Sequence, residues 1–358
     1  MNIKIRNPNV KYAVERLMTK GIVFIGIFLL WGWDRKMERL GTKAETLEKM
    51  YRKLNTAKIL SQFTFTAAEW RQQRGVIVQR FSKLNWSADV IVRSSCKNED
   101  TSDASMAGKF ESVPDVRGTD AFQDAVDKVI GSYGEGGGGD QILVQPMLKD
   151  VKFCGVAFTL DPSTHGNYYV INYDKTGSTS TVTSGTGESG SLYYHFKNTV
   201  KESAPGELRQ LLAALEELEI FFGQDNLDVE FAVTEEELYI LQVRALCISQ
   251  EHIDQKQQAE ELIRIAEKIK QNNRSKPFLC GQKTAYSVMT DWNPAEMIGV
   301  RPKPLALLLY KEIITDNVWA YQRDNYGYRN LRSFPLMVDF CGLLYIDVRV
   351  SFNSFIPA

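Results

Sequence analysis

A chain of 358 residues is long enough for two domains, or for one large domain with an appendage. Its 44% hydrophobic and 24% charged residues are typical of a soluble globular protein. The formal net charge of −1, without a stripe of basic and aromatic residues, argues against a nucleic-acid partner. The five cysteines are far apart and form no Cys-x-x-Cys pair, which argues against a zinc site and a disulfide framework. The simplest inference is a reduced, cytoplasmic protein.

The segment Gly21–Trp33 is strongly apolar, but its thirteen residues are fewer than the ~20 that a membrane-spanning helix needs. Charged residues rather than a small-residue cleavage site follow it, which argues against a signal peptide. We therefore predict that residues 1–40 are an N-terminal extension. Its apolar segment is either a buried strand or helix, or part of an extension ahead of the true domain start, and we do not expect a membrane anchor.

A helix is predicted to begin at Gly41–Leu47, where Thr42 and Glu45 have the spacing of a capping box. Lys43 lies in the first turn, against the helix dipole. A bound phosphate, held by Lys43 and the helix N-terminus, would account for that position. A solvated surface lysine is the alternative, and the segment lacks the second glycine and the Lys-Ser/Thr pair of a Walker A loop.

The stretch Ala88–Ser95 is predicted to be a short buried strand that ends in a polar cluster containing Arg93. Polar residues at the end of an apolar strand are a common place for a ligand. The following segment 99–110 has loop composition, and it lies in either a ligand-binding loop or a plain surface loop. An amphipathic helix is predicted over Thr119–Gly131.

Two glycine-rich stretches, 134–139 and 185–190, fit the pattern G-x-G-x-x-G. Neither lies between a strand and a helix as a dinucleotide-binding loop does, so neither is interpreted as a Rossmann site. The first is predicted to be a flexible linker. The second, with Thr186, Gly187 and Glu188, is a candidate mobile loop over phosphates.

Further along the chain, the pattern predicts strands and then helices. The strands are expected at 142–148, 155–161 and 167–173, and the helices at 205–223 and 251–270. Gln145 is either beside an adenine or in an ordinary sheet position. The polar run Gln271–Arg274 suggests a boundary, so we predict a domain over 41–250, a helical linker over 251–275 and a partial second domain over 276–358.

The segment Asp228–Arg244 is predicted to be a β-hairpin with a short acidic turn. If the turn centres on Glu236, Glu230 and Gln242 lie opposite each other with Cβ atoms ~5 Å apart. Arg244, two positions beyond Gln242, then points to the same face. These groups suit a divalent cation and a phosphate. The alternative is an edge hairpin with solvated polar residues.

Four stretches in order resemble the nucleotide-binding domain of phosphoenolpyruvate synthase and pyruvate phosphate dikinase. They are GTKAETL, VIVRSS with EDTSDASMAGKFES, ILVQPML with GVAFTLDP, and DVEFAV with LYILQVR. The resemblance covers roughly residues 41–244. It implies an α+β, ATP-grasp-like fold of two subdomains that binds ATP and Mg²⁺.

The resemblance also implies roles for individual residues. Lys43, Arg93 and Arg244 would contact the phosphates, with Lys43 and Arg244 in catalytic positions and Arg117 as a less closely matched candidate. Glu230 and Gln242 would hold the metal. The loop Thr186–Glu188 takes the place of the family's G-x-G-E loop.

The tail, residues 290–358, resembles relatives of capsule biosynthesis that are similar to L-glutamine kinase. In the family, phosphate passes from ATP to a histidine in a Thr-Ser-His-Ala motif on a swivelling domain, and then to an acceptor. None of the three histidines, His165, His195 and His252, has that context. We therefore expect a fragment or one part of a split enzyme, with the phosphohistidine domain in trans or in a missing C-terminal part.

Two functions remain open from the sequence. One is the ATP-binding part of a phosphotransferase whose small acceptor is pyruvate or an amide such as L-glutamine. The other is a nucleotide-binding or regulatory module without complete catalytic activity.

Overall fold

The structure is a computed structural model that describes residues 38–84, 86, 88–96, 111–133, 139–175, 190–246, 253–290 and 292–358. The chain divides into two compact units between Ile253 and Asp254. Four predicted features lie outside the described residues: the apolar segment Gly21–Trp33, the loop 99–110, the loop Thr186–Glu188 and all but the last residue of the glycine-rich stretch 134–139.

An antiparallel sheet with the strand order β1–β4–β2–β3 forms one half of the first unit. Its elements are β1 (Phe63–Thr66), α2 (Ala67–Ser82), β2 (Val90–Ser95), β3 (Ser112–Val116), α3 (Gly118–Gly131) and β4 (Gln141–Pro146). Side chains alternate between the faces of a strand. Val92 and Val144 therefore face a core with α2 and α3, whereas Arg93 and Gln145 share the opposite face.

A second antiparallel sheet, with the order β7–β6–β5–β8–β9, forms the other half. Its elements are β5 (Phe153–Phe158), β6 (Tyr168–Asp174), β7 (Ser191–Phe196), α4 (Arg209–Phe222), β8 (Leu227–Val233) and β9 (Leu238–Ala245). The leucine stripe of α4, including Leu215 and Leu218, packs with Val229 and Phe231 in one core. Gly223 ends α4 with a φ of 68°, a left-handed conformation that glycine adopts without a Cβ clash.

Helix α1 (Lys43–Met50) connects the two halves of this unit. The predicted capping box is confirmed, because Thr42 and Glu45 each bond through the side chain to the other's backbone N–H. Its apolar side is buried in the core of the second sheet. At its start, Ala44 N–H donates to Ser95 Oγ at 2.9 Å and Thr42 Oγ1 donates to Gln141 Oε1 at 2.8 Å. The beginning of α1 is therefore fixed to the ends of β2 and β4.

The second unit has its own core, which includes Trp319, Leu336 and Ile346. Its elements are α5 (Gln255–Asn272), β10 (Tyr286–Ser287), α6 (Pro294–Ile298), α7 (Pro304–Tyr310), a π-helix (Lys311–Thr315), α8 (Val318–Asn325), β11 (Met337–Phe340), β12 (Leu343–Asp347) and α9 (Val348–Asn353). The strands form a sheet in the order β10–β12–β11. Helix α5, expected as a linker, lies within this unit.

The predicted α+β class is confirmed, since both halves of the first unit combine helices with antiparallel strands. Most predicted elements are present with ends shifted by one to four residues. The helix predicted from Pro205 begins with a 3₁₀ turn at Gly206–Leu208 before α4. Within the described ranges, no helix is long and apolar enough to cross a membrane.

Candidate active site

The hairpin β8–β9 places Glu230 directly opposite Gln242, and Asp228 directly opposite Arg244. The predicted opposition of Glu230 and Gln242 is therefore confirmed. The centre of the turn lies between Glu235 and Glu236, half a residue before the predicted centre, because Val233 pairs with Leu238. A regular ladder from that turn would set Glu230 opposite Leu241. A β-bulge in β9 takes up the extra residue.

The bulge shifts the alternation of β9. Leu238 and Ile240 face the core at a spacing of two, and the next core residue is Val243, three positions on. Without this shift, Gln242 would point to the same side as Ile240. The bulge therefore turns Gln242 away from the core and onto the face that carries Glu230.

Arg93, from the middle of β2, contacts this face from the other sheet. Its Nη2 lies 3.4 Å from Glu230 Oε2 and 3.4 Å from Gln242 Oε1, and its Nη1 lies 3.4 Å from the carbonyl oxygen of the bulged Leu241. The side chains of Arg93 and Glu230 are each 14% exposed. An ion pair shielded to this degree is screened less by salt than a surface pair.

Asp228 is a site residue that the sequence interpretation missed. Arg244 Nε donates to Asp228 Oδ2 at 2.6 Å. Asp228 Oδ1 is buried, and no hydrogen-bond partner for it exists among the residues that the structure describes. Burial raises the pKa of Asp228 above its ordinary value, and the neighbouring Arg244 only partly opposes the shift. The counting that paired Glu230 with Gln242 also pairs Asp228 with Arg244, so the signal was in the sequence.

Lys43 is the first residue of α1 and is 5% exposed. The alternative of a solvated surface lysine is therefore wrong. Its neighbour Ala44 bonds to Ser95, which is two positions beyond Arg93 on the same face of β2. The structure thus brings the backbone of Lys43 to the end of the strand that carries Arg93.

Two other predicted residues lie in different settings. Gln145 shares the sheet face of Arg93 and is 1% exposed, and its buried Nε2 bonds to no atom in the described ranges. Arg117 lies beyond β3 in a two-point ion pair with Asp89, at 2.6 and 3.0 Å, with its side chain 80% exposed. Arg117 is therefore not part of the contact between Arg93 and the hairpin.

The oxygen atoms around Arg93 fit a hard divalent cation. Glu230 and Gln242 are directly opposite each other on the hairpin, and each has an oxygen 3.4 Å from the same nitrogen of Arg93, a placement that suits a shared cation. No group of three or more His, Cys, Asp or Glu residues suited to a metal occurs in the described part of the chain. The remaining ligands of such an ion would come from phosphate and water, as is usual for Mg²⁺.

The two described histidines lie in ordinary structural settings. His165 occupies the turn after β5 with a φ of 56°, and its N–H donates to Asp161 O at 2.8 Å. His195 is 3% exposed on β7, with its Nε2 3.2 Å from Thr199 O. His252 lies outside the described residues.

The solved structures to which this chain is similar include D-alanine-D-alanine ligases. The enzyme from Helicobacter pylori has a TM-score of 0.33 and 14% identity, covering 57% of this chain and 51% of the ligase. The enzyme from Bacillus anthracis, complexed with ATP, has a TM-score of 0.33 and 11% identity, covering 56% of this chain and 55% of the ligase. The chain thus spans about half the length of these ligases.

No curated protein matches the chain. Residues 34–135 match the family model of the AMP/ATP-binding domain of pyruvate phosphate dikinase. The matched residues include Lys43, Arg93 and Arg117, while the hairpin β8–β9 lies beyond them. This part of the chain is therefore similar to the AMP/ATP-binding domain of pyruvate phosphate dikinase, which supports the resemblance drawn from its motifs.

Proposed function

We propose that this chain is the ATP-binding part of a phosphotransferase, with an ATP-grasp-like first unit that holds Mg-ATP between its two sheets. The observation that carries the proposal is the contact of Arg93 with both Glu230 and Gln242. It joins a cation from one sheet to two oxygen ligands from the other, which is the combination that a metal-bound triphosphate needs. The match of residues 34–135 supports ATP as the nucleotide.

In this proposal, the phosphates lie beside Lys43 at the start of α1, where the helix dipole adds to the lysine charge. Arg93 and Arg244 contact the same phosphates, and Glu230 and Gln242 hold the magnesium. The bound Mg²⁺ supplies neutralisation of the phosphate oxygens. The Nε2 group of Gln145 donates to a ring nitrogen of the adenine.

Arg244 acts in the transfer step. Its Nε donates to Asp228 Oδ2, which fixes the plane of the guanidinium. A guanidinium held in this way can meet the charge that develops on a phosphoryl group without first being reoriented.

The phosphate passes first to a histidine on a separate swivelling domain, supplied in trans or by a further part of the protein. It passes next to a small acceptor, either pyruvate or an amide such as L-glutamine. The motifs quoted above support this route, as does the setting of His165 in a tight turn and of His195 within a sheet.

Isothermal titration of Mg-ATP tests the nucleotide site. Lys43→Met should weaken binding by about ten- to a hundredfold, because a hydrogen bond to a charged group contributes ~1.5–3 kcal/mol. Lys49→Met is the matched control. Lys49 lies in the last turn of the same helix, and its Nζ donates to the carbonyl oxygen of Arg39. The affinity of this variant should stay within about twofold of the wild type. Tight binding of a dinucleotide with no response to ATP would overturn the proposal.

Isotope exchange tests the transfer. Labelled ATP should leave no acid-labile phosphate on the chain alone, and exchange with AMP or phosphate should require the phosphohistidine domain. A stoichiometric phosphohistidine at His165 would contradict the separate carrier. ATP binding without exchange under any of these conditions would favour a nucleotide-binding regulatory module.

A further inference from the structure

Arg93 occupies the place where a metal ion would contact Glu230 and Gln242. Its Nη2 is 3.4 Å from an oxygen of each, so the guanidinium is the counter-charge of Glu230. A metal ion cannot bind these two oxygens while the guanidinium keeps its present position. A bare divalent cation therefore has to displace Arg93.

Displacement by a bare cation is unfavourable because of where Arg93 lies. Its side chain is 14% exposed, and among the described residues its other hydrogen bond is to the Leu241 carbonyl at 3.4 Å. A mostly buried guanidinium that loses its carboxylate partner retains the cost of desolvation without the ion pair that offset it. The ion pair thus opposes the binding of a metal without nucleotide.

Metal-free ATP meets the converse problem. Its phosphates would attract Arg93 away from Glu230, and the carboxylate would then face the phosphate charges with no cation between them. Two like charges at short range in a poorly solvated site repel each other strongly. Only a metal-bound nucleotide provides a phosphate for Arg93 and a cation for Glu230 in one step.

We propose that Arg93 is a specificity-determining residue that makes the site select the metal–nucleotide complex over either component alone. It does so by exchanging Glu230 for phosphate as its partner when the complex enters. This inference rests on the proposed ATP function and adds to it an order of binding: the metal enters with the nucleotide and does not precede it.

Binding of Mn²⁺ without nucleotide, measured from the electron paramagnetic resonance signal of the free ion, tests the proposal. Arg93→Met should bind Mn²⁺ at least about fivefold more tightly than the wild type, in the range of typical coupling between sites. The same variant should bind Mg-ATP more weakly, because it lacks the phosphate contact. If Arg93 had only a structural role, its replacement would weaken the binding of both Mn²⁺ and Mg-ATP. A higher Mn²⁺ affinity together with a lower Mg-ATP affinity therefore identifies the exchange of partners.

Three further variants control the measurement. Arg93→Met combined with Glu230→Gln should return Mn²⁺ binding to the weak wild-type level, whereas Arg93→Lys, which keeps the charge, should stay close to it. Arg74→Met removes an ion pair with Asp127 at 2.8 Å between the helices on the other face of the same sheet. It should leave both affinities unchanged.

A folded Arg93→Met variant with no gain in Mn²⁺ affinity overturns the inference. If that variant does not fold, as judged by circular dichroism, Arg93→Gln is measured in its place with the same expected gain. Normal Mg-ATP binding by the wild type together with no gain in the variant rejects this inference alone. Failure of the wild type to bind Mg-ATP rejects the proposed function instead.

Discussion

At the scale of single residues, Glu230 and Gln242 differ in what they offer a metal. Both lie within 3.4 Å of the same nitrogen of Arg93, yet only Glu230 brings a negative charge. Hard cations are bound mainly by charged and neutral oxygen atoms, and the charge count tunes the affinity. The two residues are thus close enough to act as one site and different enough to be distinguished.

Glu230→Gln should weaken magnesium-dependent ATP binding more than Gln242→Ala does, because it removes the charge and keeps the shape. The loss of affinity in the double variant should differ from the sum of the two single losses by ~0.5–3 kcal/mol, since both residues would hold one ion in the proposed site. ATP affinity measured against magnesium concentration checks this. Folded variants that match the wild type would mean that the hairpin is only part of a sheet.

Asp228 should give the protein an unusual dependence on pH. Burial raises its folded-state pKa, so the folded chain holds this proton to higher pH than the unfolded chain, whose carboxyl titrates near 3.8. Its contribution to stability therefore falls as pH rises from about that value through the raised pKa, and is level above it. Urea denaturation at a series of pH values should show the wild type losing stability relative to Asp228→Asn across this window.

Asp89→Asn is the matched control with the opposite sign. The hydrogen bond from Arg117 lowers the pKa of Asp89, so its contribution is present above pH 3.8 and is lost as pH falls through the lowered value. The free energy of unfolding of the wild type minus that of Asp89→Asn should rise with pH and then become constant. A parallel pH course for the two variants would contradict the environment assigned to Asp228.

The residues that sequence reasoning could place were those whose position follows from periodicity. A count along two strands paired Glu230 with Gln242, although it assumed a turn centred on Glu236 and a regular ladder. The observed pair results from a turn half a residue earlier together with the bulge at Leu241. The burial of Lys43 could not be predicted from a local pattern. The start of its helix is fixed by the hydrogen bond between Thr42 and Gln141, which are 99 positions apart in the sequence. The proximity of Arg93 to the hairpin likewise depends on how two separate sheets pack.

At the scale of elements, the second sheet depends on close contact between β5 and β6. A Cβ added at Gly155 would lie 2.1 Å from the carbonyl oxygen of Asn172 and 2.8 Å from Cα of Tyr173. Both atoms belong to backbone, which cannot move aside as a flexible side chain does. Glycine is required here by the approach of a neighbouring strand rather than by an unusual φ.

Gly155→Ala should therefore destabilise the first unit by about 1–3 kcal/mol or more, the usual cost of overpacking. Gly75→Ala is the control, because Gly75 lies in α2 with nothing within 4 Å of its added Cβ. It should be neutral or stabilising by up to ~1 kcal/mol, as for alanine in an exposed helix. Denaturant midpoints of the two variants check this, and equal midpoints would contradict the packing of β5 on β6.

The elements themselves were largely predictable, since the apolar patterns are regular. The leucine stripe of α4 and the capping box of α1 specify their helices locally. The bulge in β9 was not predicted, although the core spacing Leu238, Ile240, Val243 contains the shift. Counting alternate residues along a strand reveals such a shift only when it is already known which of those residues face the core.

At the scale of the whole molecule, the two units have separate cores and should respond separately to core substitutions. Leu336 is 2% exposed in the core of the second unit, and Leu215 is fully buried in the first. Truncation of such leucines costs ~2–5 kcal/mol. The length and the polar run Gln271–Arg274 predicted a two-part chain, but the place of α5 in the second unit depends on contacts that sequence patterns do not specify.

Leu336→Ala should destabilise the second unit by ~2–5 kcal/mol and leave Mg-ATP affinity within about twofold of the wild type, because the proposed site lies in the first unit. Leu215→Ala is the matched substitution, and it should destabilise the unit that binds ATP. Calorimetry with and without Mg-ATP checks both variants. A large loss of affinity in folded Leu336→Ala would contradict a site built by the first unit alone.

The bulge at Leu241 has a consequence for deletions in this hairpin. If Leu241 were removed, Ile240 would be followed directly by Gln242, and the strand would alternate regularly with every neighbour still on its present side. Removal of Gln242 would also remove the bulge, but it would place Leu241 on the face that carries Glu230. Removal of Tyr239 would turn Ile240 away from the core. A deletion scan should therefore tolerate the loss of Leu241 best, and that shortened chain would keep both faces of the sheet while losing the carbonyl oxygen that accepts from Arg93.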